Sequence, residues 1–120
     1  TGFGLLGHLA EVLRASGVAA VLDAAAVPIL EGAKEIAAAG HVPGGTKRNF
    51  RSIKGSVDFG DLPSTDRTLL VDAQTSGGLL LAVPEAALEE LVAALLAAGD
   101  LAATIGHIET ASAAPLIVVR

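Results

Sequence analysis

The sequence predicts a single domain of the α/β or α+β class, in which about four strands form a small mixed sheet packed with helices. Three observations predict this class. The 120 residues match the commonest size of one domain. Apolar residues make up 52% of the chain, which is enough to form a core. Helix-period segments also alternate with short apolar runs of strand length.

The first forty residues are predicted to contain two helices and one strand. Apolar residues recur at helical spacing over residues 5–13, and Gly17 ends this first helix. The apolar run 18–22 has the length of a strand. Pro28 suits the first position of a second helix, which Gly40 ends.

The middle of the chain is predicted to hold two short helices around an irregular segment. Thr46 is placed to cap a helix that runs through Lys54. Residues 56–63 are expected to be irregular or briefly extended. Ser64 is placed to cap a further helical turn or two that reach Val71.

The last third of the chain is predicted to supply the core strand and the clearest helix. The unbroken apolar run 79–83 favours a central strand covered on both faces. Pro84 opens a helix that Gly99 ends, and two more strands are expected near 101–108 and 115–119. The inward face of this helix is predicted to comprise Leu88, Leu91, Val92 and Leu95.

Charge and composition exclude several classes of function. Eight basic and thirteen acidic residues give a formal net charge of −5, so we expect no nucleic-acid partner. The lack of Cys excludes disulfides and thiolate chemistry in this chain. No apolar run has membrane-spanning length, so we expect no membrane partner and a cytoplasmic location. Because the chain starts with Thr1 inside an apparent motif, we expect it to be part of a longer protein.

The chain opens with three glycines, Gly2, Gly4 and Gly7, ahead of the first helix. Glycines at a helix start leave backbone N–H groups accessible, which favours phosphate binding, although they can also serve close packing alone. The pattern is formally G-x-G-x-x-G with Asp23 about 20 residues further on. A true dinucleotide fingerprint follows a strand, whereas only Thr1 precedes these glycines, so we reject a dinucleotide site.

A basic cluster, defined as Lys47, Arg48, Arg51 and Lys54, holds half of the basic residues and follows the turn 44–46. It is either an anion-binding surface or a solvated helix face.

The turn before the apolar run 79–83 is rich in polar groups. It contains Asp72, Gln74, Thr75 and Ser76, which either face a ligand or shape the turn itself. The three histidines, His8, His41 and His107, are too widely spaced to suggest a metal-ligand pair, and each is expected to be structural or solvated.

Three blocks of sequence together resemble the C-terminal domain of the selenophosphate synthetase (selenide, water dikinase) family. They are TGFGLLGHL at 1–9, VPGGT at 42–46 with Asn49, and QTSGGLL at 74–80, in the family's order and at about its spacing. The resemblance covers essentially the whole chain and implies the domain type of the aminoimidazole ribonucleotide synthetase superfamily. Residues 1–120 would then form the C-terminal domain of a two-domain enzyme.

The resemblance implies an ATP-dependent enzyme that converts selenide, ATP and water into selenophosphate, AMP and phosphate, with magnesium as cofactor. It also implies that the full-length enzyme is a homodimer. The family's N-terminal domain carries the Cys or selenocysteine, the essential Lys and most metal-binding carboxylates. A further metal-binding Asp lies two positions before the residue matching Thr1. We therefore expect no catalytic residue and no metal ligand in this chain, and no turnover by the chain alone.

The resemblance also implies which residues face ATP. Thr1, Gly2 and Gly4 would lie beside the magnesium and phosphate site. The other candidate binding residues are Thr46 and Asn49 on a loop facing the cleft, and Gln74, Thr75 and Ser76 on the supporting turn. Arg48 of the basic cluster is a further candidate binding residue. One departure is Ala73, where the family has Pro, which loosens the turn. Two alternatives remain: a related purine-biosynthesis or thiamine-phosphate kinase domain, and a stand-alone anion-binding regulatory domain.

Overall fold

A computed structural model describes residues 1–111 and 114–120 of the chain. The described residues form five α-helices, four strands and a short 3-10 turn at Ala24–Ala26. In chain order the helices and strands are α1 (Gly4–Ser16), β1 (Val18–Leu22), α2 (Ala33–Ala38), α3 (Gly44–Ser52), β2 (Val57–Asp58), α4 (Ser64–Leu70), α5 (Glu85–Ala97), β3 (Gly106–Thr110) and β4 (Ile117–Val119).

The four strands form one mixed sheet in the order β2-β4-β1-β3. β1 runs parallel to β4, with Val21 opposite Val118, and antiparallel to β3, with Val21 opposite His107. β4 also runs parallel to β2. The predicted fold class, a small mixed sheet of about four strands packed with helices, is confirmed.

The core lies between α1, the two central strands and the ends of α3 and α4. Its buried members are all aliphatic, as the composition predicts, and Phe59 packs against them from the side as a partly buried residue. Its buried members are Leu6, Leu9, Ala10, Leu13, Ala20, Leu22, Ile53, Leu70, Val71, Ile117 and Val119. This core fixes the start of α1 and the end of α4 against each other.

Three predicted elements, α1, β1 and α5, are confirmed. Each of them is set by a signal in its own stretch of sequence. α1 ends at Gly17, which adopts the left-handed conformation with φ 65° that glycine tolerates best. β1 occupies the predicted residues 18–22. α5 begins directly after Pro84 and ends before Gly99, and its four predicted inward residues are its half-buried ones, whereas its other residues are exposed.

The predicted core strand at 79–83 is wrong. These residues form no strand, Leu79 is 89% exposed and Leu81 is 54% exposed. An unbroken apolar run shows that a segment would gain by burial, but it does not specify which strand would pair with it. The short strand β2, from the segment expected to be briefly extended, completes the sheet instead.

Several predicted boundaries are also wrong. α2 begins at Ala33 rather than at Pro28, because Gly32 adopts φ 80° and interrupts the helix. Neither Thr46 nor Ser64 caps a helix, since α3 and α4 begin after Pro43 and Pro63 without a side-chain cap. α3 ends at Ser52 instead of Lys54, and β3 starts at Gly106 instead of near residue 101.

Candidate functional site

The glycine-rich opening lies directly against the segment that follows α4. Gly4 has φ 73°, and a Cβ atom placed there would lie 2.7 Å from the carbonyl oxygen of Asp72 and 2.8 Å from that of Val71. Gly2 has φ 83°, and no heavy atom lies within 4 Å of its own hypothetical Cβ. Gly4 therefore serves close packing, whereas the space beside the Cα atom of Gly2 is open.

Asn49 joins this opening to the rest of the domain. Its side chain is 8% exposed, and Nδ2 donates to the carbonyl oxygens of Gly2 at 2.7 Å and of Val71 at 3.0 Å. Both protons of one amide group are thus used on two segments that are far apart in sequence. Asn49 fixes the backbone position of the opening relative to the end of α4.

Thr46, 1% exposed, fixes the polar turn that follows α4. Its hydroxyl donates to Oδ1 of Asp72 at 2.6 Å and accepts from the backbone N–H of Ala73 at 3.1 Å. The other carboxylate oxygen of Asp72 accepts from Nε2 of Gln74 at 2.5 Å. One oxygen of Asp72 is therefore bonded to α3, and the other is bonded within the turn.

A cavity of about 990 Å³ opens between the glycine-rich opening and the polar turn. Six of the nine predicted binding residues line it: Thr1, Gly2, Gly4, Gln74, Thr75 and Ser76. Apolar side chains also line the cavity, among them Leu5, Val12 and Leu80. The cavity thus combines polar groups of the opening and the turn with aliphatic side chains.

The other three predicted binding residues do not line this cavity. Thr46 and Asn49 are buried behind it. Arg48 is exposed and folds over the start of its own helix, where Cβ atoms built at Gly44 and Gly45 would lie 3.8 Å from its guanidinium nitrogens. In the described part of the chain, no member of the basic cluster forms an ion pair.

His8, which the sequence analysis treats as structural or solvated, also lines the cavity. Its Nε2 lies 2.5 Å from the hydroxyl oxygen of Thr1, and its Nδ1 lies 3.4 Å from a carboxylate oxygen of Glu11. The sequence could have indicated the contact with Glu11, because Glu11 follows His8 by three positions on the same helix face. Residues 1 to 3 precede the helix, so only the structure shows the Thr1 contact.

Two further properties limit the chemistry of the described residues. They contain no group of three His, Cys, Asp or Glu side chains that could hold a metal ion. None of their helices is both long enough and apolar enough to cross a membrane.

A family model described as AIR synthase related protein, C-terminal domain, matches residues 1–118. The chain belongs to this family. The chain is also similar to curated proteins named selenide, water dikinase. The protein of Cronobacter sakazakii is 49% identical over 121 residues, which cover 100% of this chain and 34% of that protein.

Two further relatives bear the same name. The protein of Enterobacter sp. strain 638 is 46% identical over 121 residues, with 100% of this chain and 34% of the relative covered. The protein of Escherichia coli K12 is 56% identical over 87 residues, with 72% and 24% covered. For the two relatives whose match covers the whole chain, the chain spans about a third of the relative's length. The resemblance to the C-terminal domain of selenophosphate synthetase is confirmed.

At Ala73, where the resemblance leads us to expect a proline, a hydrogen bond restrains the turn. A proline there has no N–H, whereas the Ala73 N–H donates to the hydroxyl of Thr46. This hydrogen bond restrains the turn by another route than a fixed φ. The turn therefore stays tied to α3 without the proline ring.

Proposed function

We propose that this chain is the C-terminal domain of an ATP-dependent selenophosphate synthetase and forms one wall of its cleft for ATP and magnesium. The single observation that carries the proposal is the cavity between the glycine-rich opening and the polar turn. Six residues that the resemblance assigns to ATP binding meet there, although the opening and the turn are some seventy positions apart in the printed sequence.

The reaction proposed for the whole enzyme converts selenide, ATP and water into selenophosphate, AMP and phosphate. Phosphoryl transfer depends mainly on positioning and on neutralising charge. The open space beside Gly2, next to the start of a 13-residue helix, suits a phosphate oxygen, because free N–H groups and the helix dipole favour negative charge there.

The described residues contain no group of three His, Cys, Asp or Glu side chains that could hold magnesium. The two oxygens of the Asp72 carboxylate accept hydrogen bonds from Thr46 on α3 and from Gln74 in the turn. We therefore assign magnesium to the part of the enzyme outside this chain, including an Asp upstream of Thr1, and derive no step from it.

The surface of the domain supports a larger assembly. Its accessible surface is 7756 Å², whereas a compact monomer of 11.9 kDa has about 5,900 Å². Leu79 is 89% exposed and Leu101 is 79% exposed, and both line the same cavity. An N-terminal ATP-binding domain seated over this side would bury both residues and close the cleft. The whole enzyme is proposed to be a cytoplasmic homodimer.

A chimaera tests the proposal. The matched 121 residues of the Cronobacter sakazakii protein are replaced by this chain, and phosphorus NMR follows selenophosphate, AMP and phosphate after ATP and selenide are added. We expect all three products from the chimaera and none from this chain alone or from the relative with its matched segment deleted. A folded, ATP-binding chimaera without products would refute the function, and AMP formed by the chain alone would refute its assignment as one wall of a shared site.

The basic cluster favours a second candidate function, a stand-alone domain that binds an anionic metabolite. Its four cations are exposed and form no ion pairs within the described residues. Calorimetric titration of the chain with ATP and with inorganic phosphate separates the two functions. Binding by the chain alone that disappears when Arg48 and Arg51 are changed to Glu supports the second function, whereas an unchanged chimaera with these substitutions supports the first.

A further inference from the structure

His8 lies between two polar side chains, Thr1 and Glu11, and His8 and Thr1 both line the cavity. Thr1 contacts one nitrogen of the imidazole ring at 2.5 Å, and Glu11 faces the other at 3.4 Å. A hydroxyl on Nε2 and a carboxylate at Nδ1 is the order of groups in which a carboxylate orients a histidine and the histidine accepts a proton from a hydroxyl.

The surroundings of His8 hold the ring while leaving a route for protons to solvent. The Phe3 ring packs against the imidazole at a centroid distance of 5.8 Å and an interplanar angle of 47°. The side chain of His8 is 41% exposed. In the tautomer that carries its proton on Nδ1, the lone pair of Nε2 faces the Thr1 hydroxyl, and this tautomer, which is assigned and not observed, is the proton-accepting one.

We propose that His8 is the proton acceptor for the water that the enzyme uses, with the Thr1 hydroxyl as relay and Glu11 as the orienting carboxylate. The inference rests on the proposed function, because it assumes that water attacks a phosphoryl group in this cleft. It departs from the expectation that this chain carries no catalytic residue. Selenide is already a strong nucleophile, whereas water requires removal of a proton as it attacks.

The step balances as follows. After the γ-phosphoryl group has passed to selenide, the water oxygen forms a bond to the β-phosphorus of the remaining ADP, the bond from this phosphorus to the oxygen of AMP breaks, and its electron pair stays on that oxygen, which gives AMP and phosphate. A water proton passes to Oγ1 of Thr1 while the hydroxyl proton of Thr1 passes to Nε2 of His8. His8 then releases the proton to solvent at its exposed side.

His107 provides a matched control in the same chain. Its Nε2 lies 3.1 Å from a carboxylate oxygen of Glu109, so it is also a histidine beside a glutamate. It lies on β3 with every residue of the strand exposed, and it does not line the cavity. Because the pair of His107 and Glu109 lacks the threonine hydroxyl and lies outside the cavity, we expect it to have no effect on catalysis.

The test uses the active chimaera with His8→Asn, which retains a polar side chain but cannot accept the proton. We expect kcat for AMP formation to fall about 100-fold or more, while KM for ATP stays within about threefold because no binding contact to ATP is removed. Glu11→Gln is expected to lower kcat less than His8→Asn does. His107→Asn is expected to retain the parent kcat.

Imidazole rescue separates proton acceptance from a structural role. Added imidazole is expected to restore AMP formation in His8→Ala in proportion to its concentration and to leave His107→Ala unchanged. Lack of rescue, or His8→Asn with at least a third of the parent kcat, overturns the inference while leaving the proposed function intact. A parent chimaera without AMP formation overturns both.

Discussion

Replacement of Asn49 should loosen the domain at the point where its glycine-rich opening is attached. In Asn49→Leu, a side chain of the same branched shape but with two methyl groups replaces the amide, so both donors are lost. The carbonyl oxygens of Gly2 and Val71 then lose the contacts at 2.7 and 3.0 Å. No other hydrogen bond to either oxygen is present among the described residues.

The expected loss can be estimated from these two contacts. Each hydrogen bond contributes about 1 kcal/mol net, and a buried acceptor left without a partner costs about 1–3 kcal/mol. The Val71 contact is buried and the Gly2 contact is partly buried, so water can replace only the second. The free energy of unfolding should fall by about 2–4 kcal/mol, a large part of the roughly 6–18 kcal/mol expected for a domain of this length.

Urea unfolding of the chain, followed by circular dichroism, measures the effect of Asn49→Leu. Ser52→Ala is the matched control on the same helix, because the Ser52 hydroxyl donates one hydrogen bond to the Asn49 carbonyl at 2.8 Å, and its loss should cost no more than about 1 kcal/mol. Asn49→Asp tests the donors separately, since a carboxylate cannot donate to either carbonyl. A loss below about 0.5 kcal/mol in both Asn49 variants would refute the reasoning, because it is within the range of ordinary surface substitutions.

Three further substitutions test the same attachment by unfolding. Gly4→Ala should cost more than about 2 kcal/mol, because its Cβ would lie 2.7 Å from the Asp72 carbonyl oxygen at φ 73°; an unchanged urea midpoint would contradict this close contact. Thr46→Val should cost about 1–3 kcal/mol, because the Asp72 carboxylate and the Ala73 N–H both lose the buried hydroxyl; a neutral result would show that water replaces it. Ala73→Pro should change stability by less than about 1 kcal/mol, since the loss of the hydrogen bond is offset by the lower conformational entropy of the unfolded chain; a larger loss would show that the turn has a φ that proline cannot adopt.

Elements set by local signals could be predicted from the sequence. α1 and β1 follow from helical spacing, a glycine stop and a short apolar run, and α5 from its proline start and its apolar face. The residues 79–83 could not be placed in this way, because pairing of strands depends on distant segments. The chain instead pairs β2 with β4, a match that no local pattern of two residues can specify.

Sequence similarity named the candidate binding residues but did not say what each of them does. Motif similarity found the glycine-rich opening and the polar turn, and the cavity brings six of those residues together. It did not distinguish residues that face the cavity from those that support it. Asn49 and Thr46 contact partners 22 to 47 positions away, and such hydrogen bonds leave no periodic trace in the sequence.

The edge strand β3 has a practical consequence for work with the isolated domain. Among the described residues it pairs with β1 on one side only, all five of its residues are exposed, and Ile108 is among them. An uncovered strand edge is a template for pairing between molecules, so concentrated samples are expected to self-associate along β3. Lysine at position 108 would place a charge on this edge and keep preparations monomeric for calorimetry and unfolding.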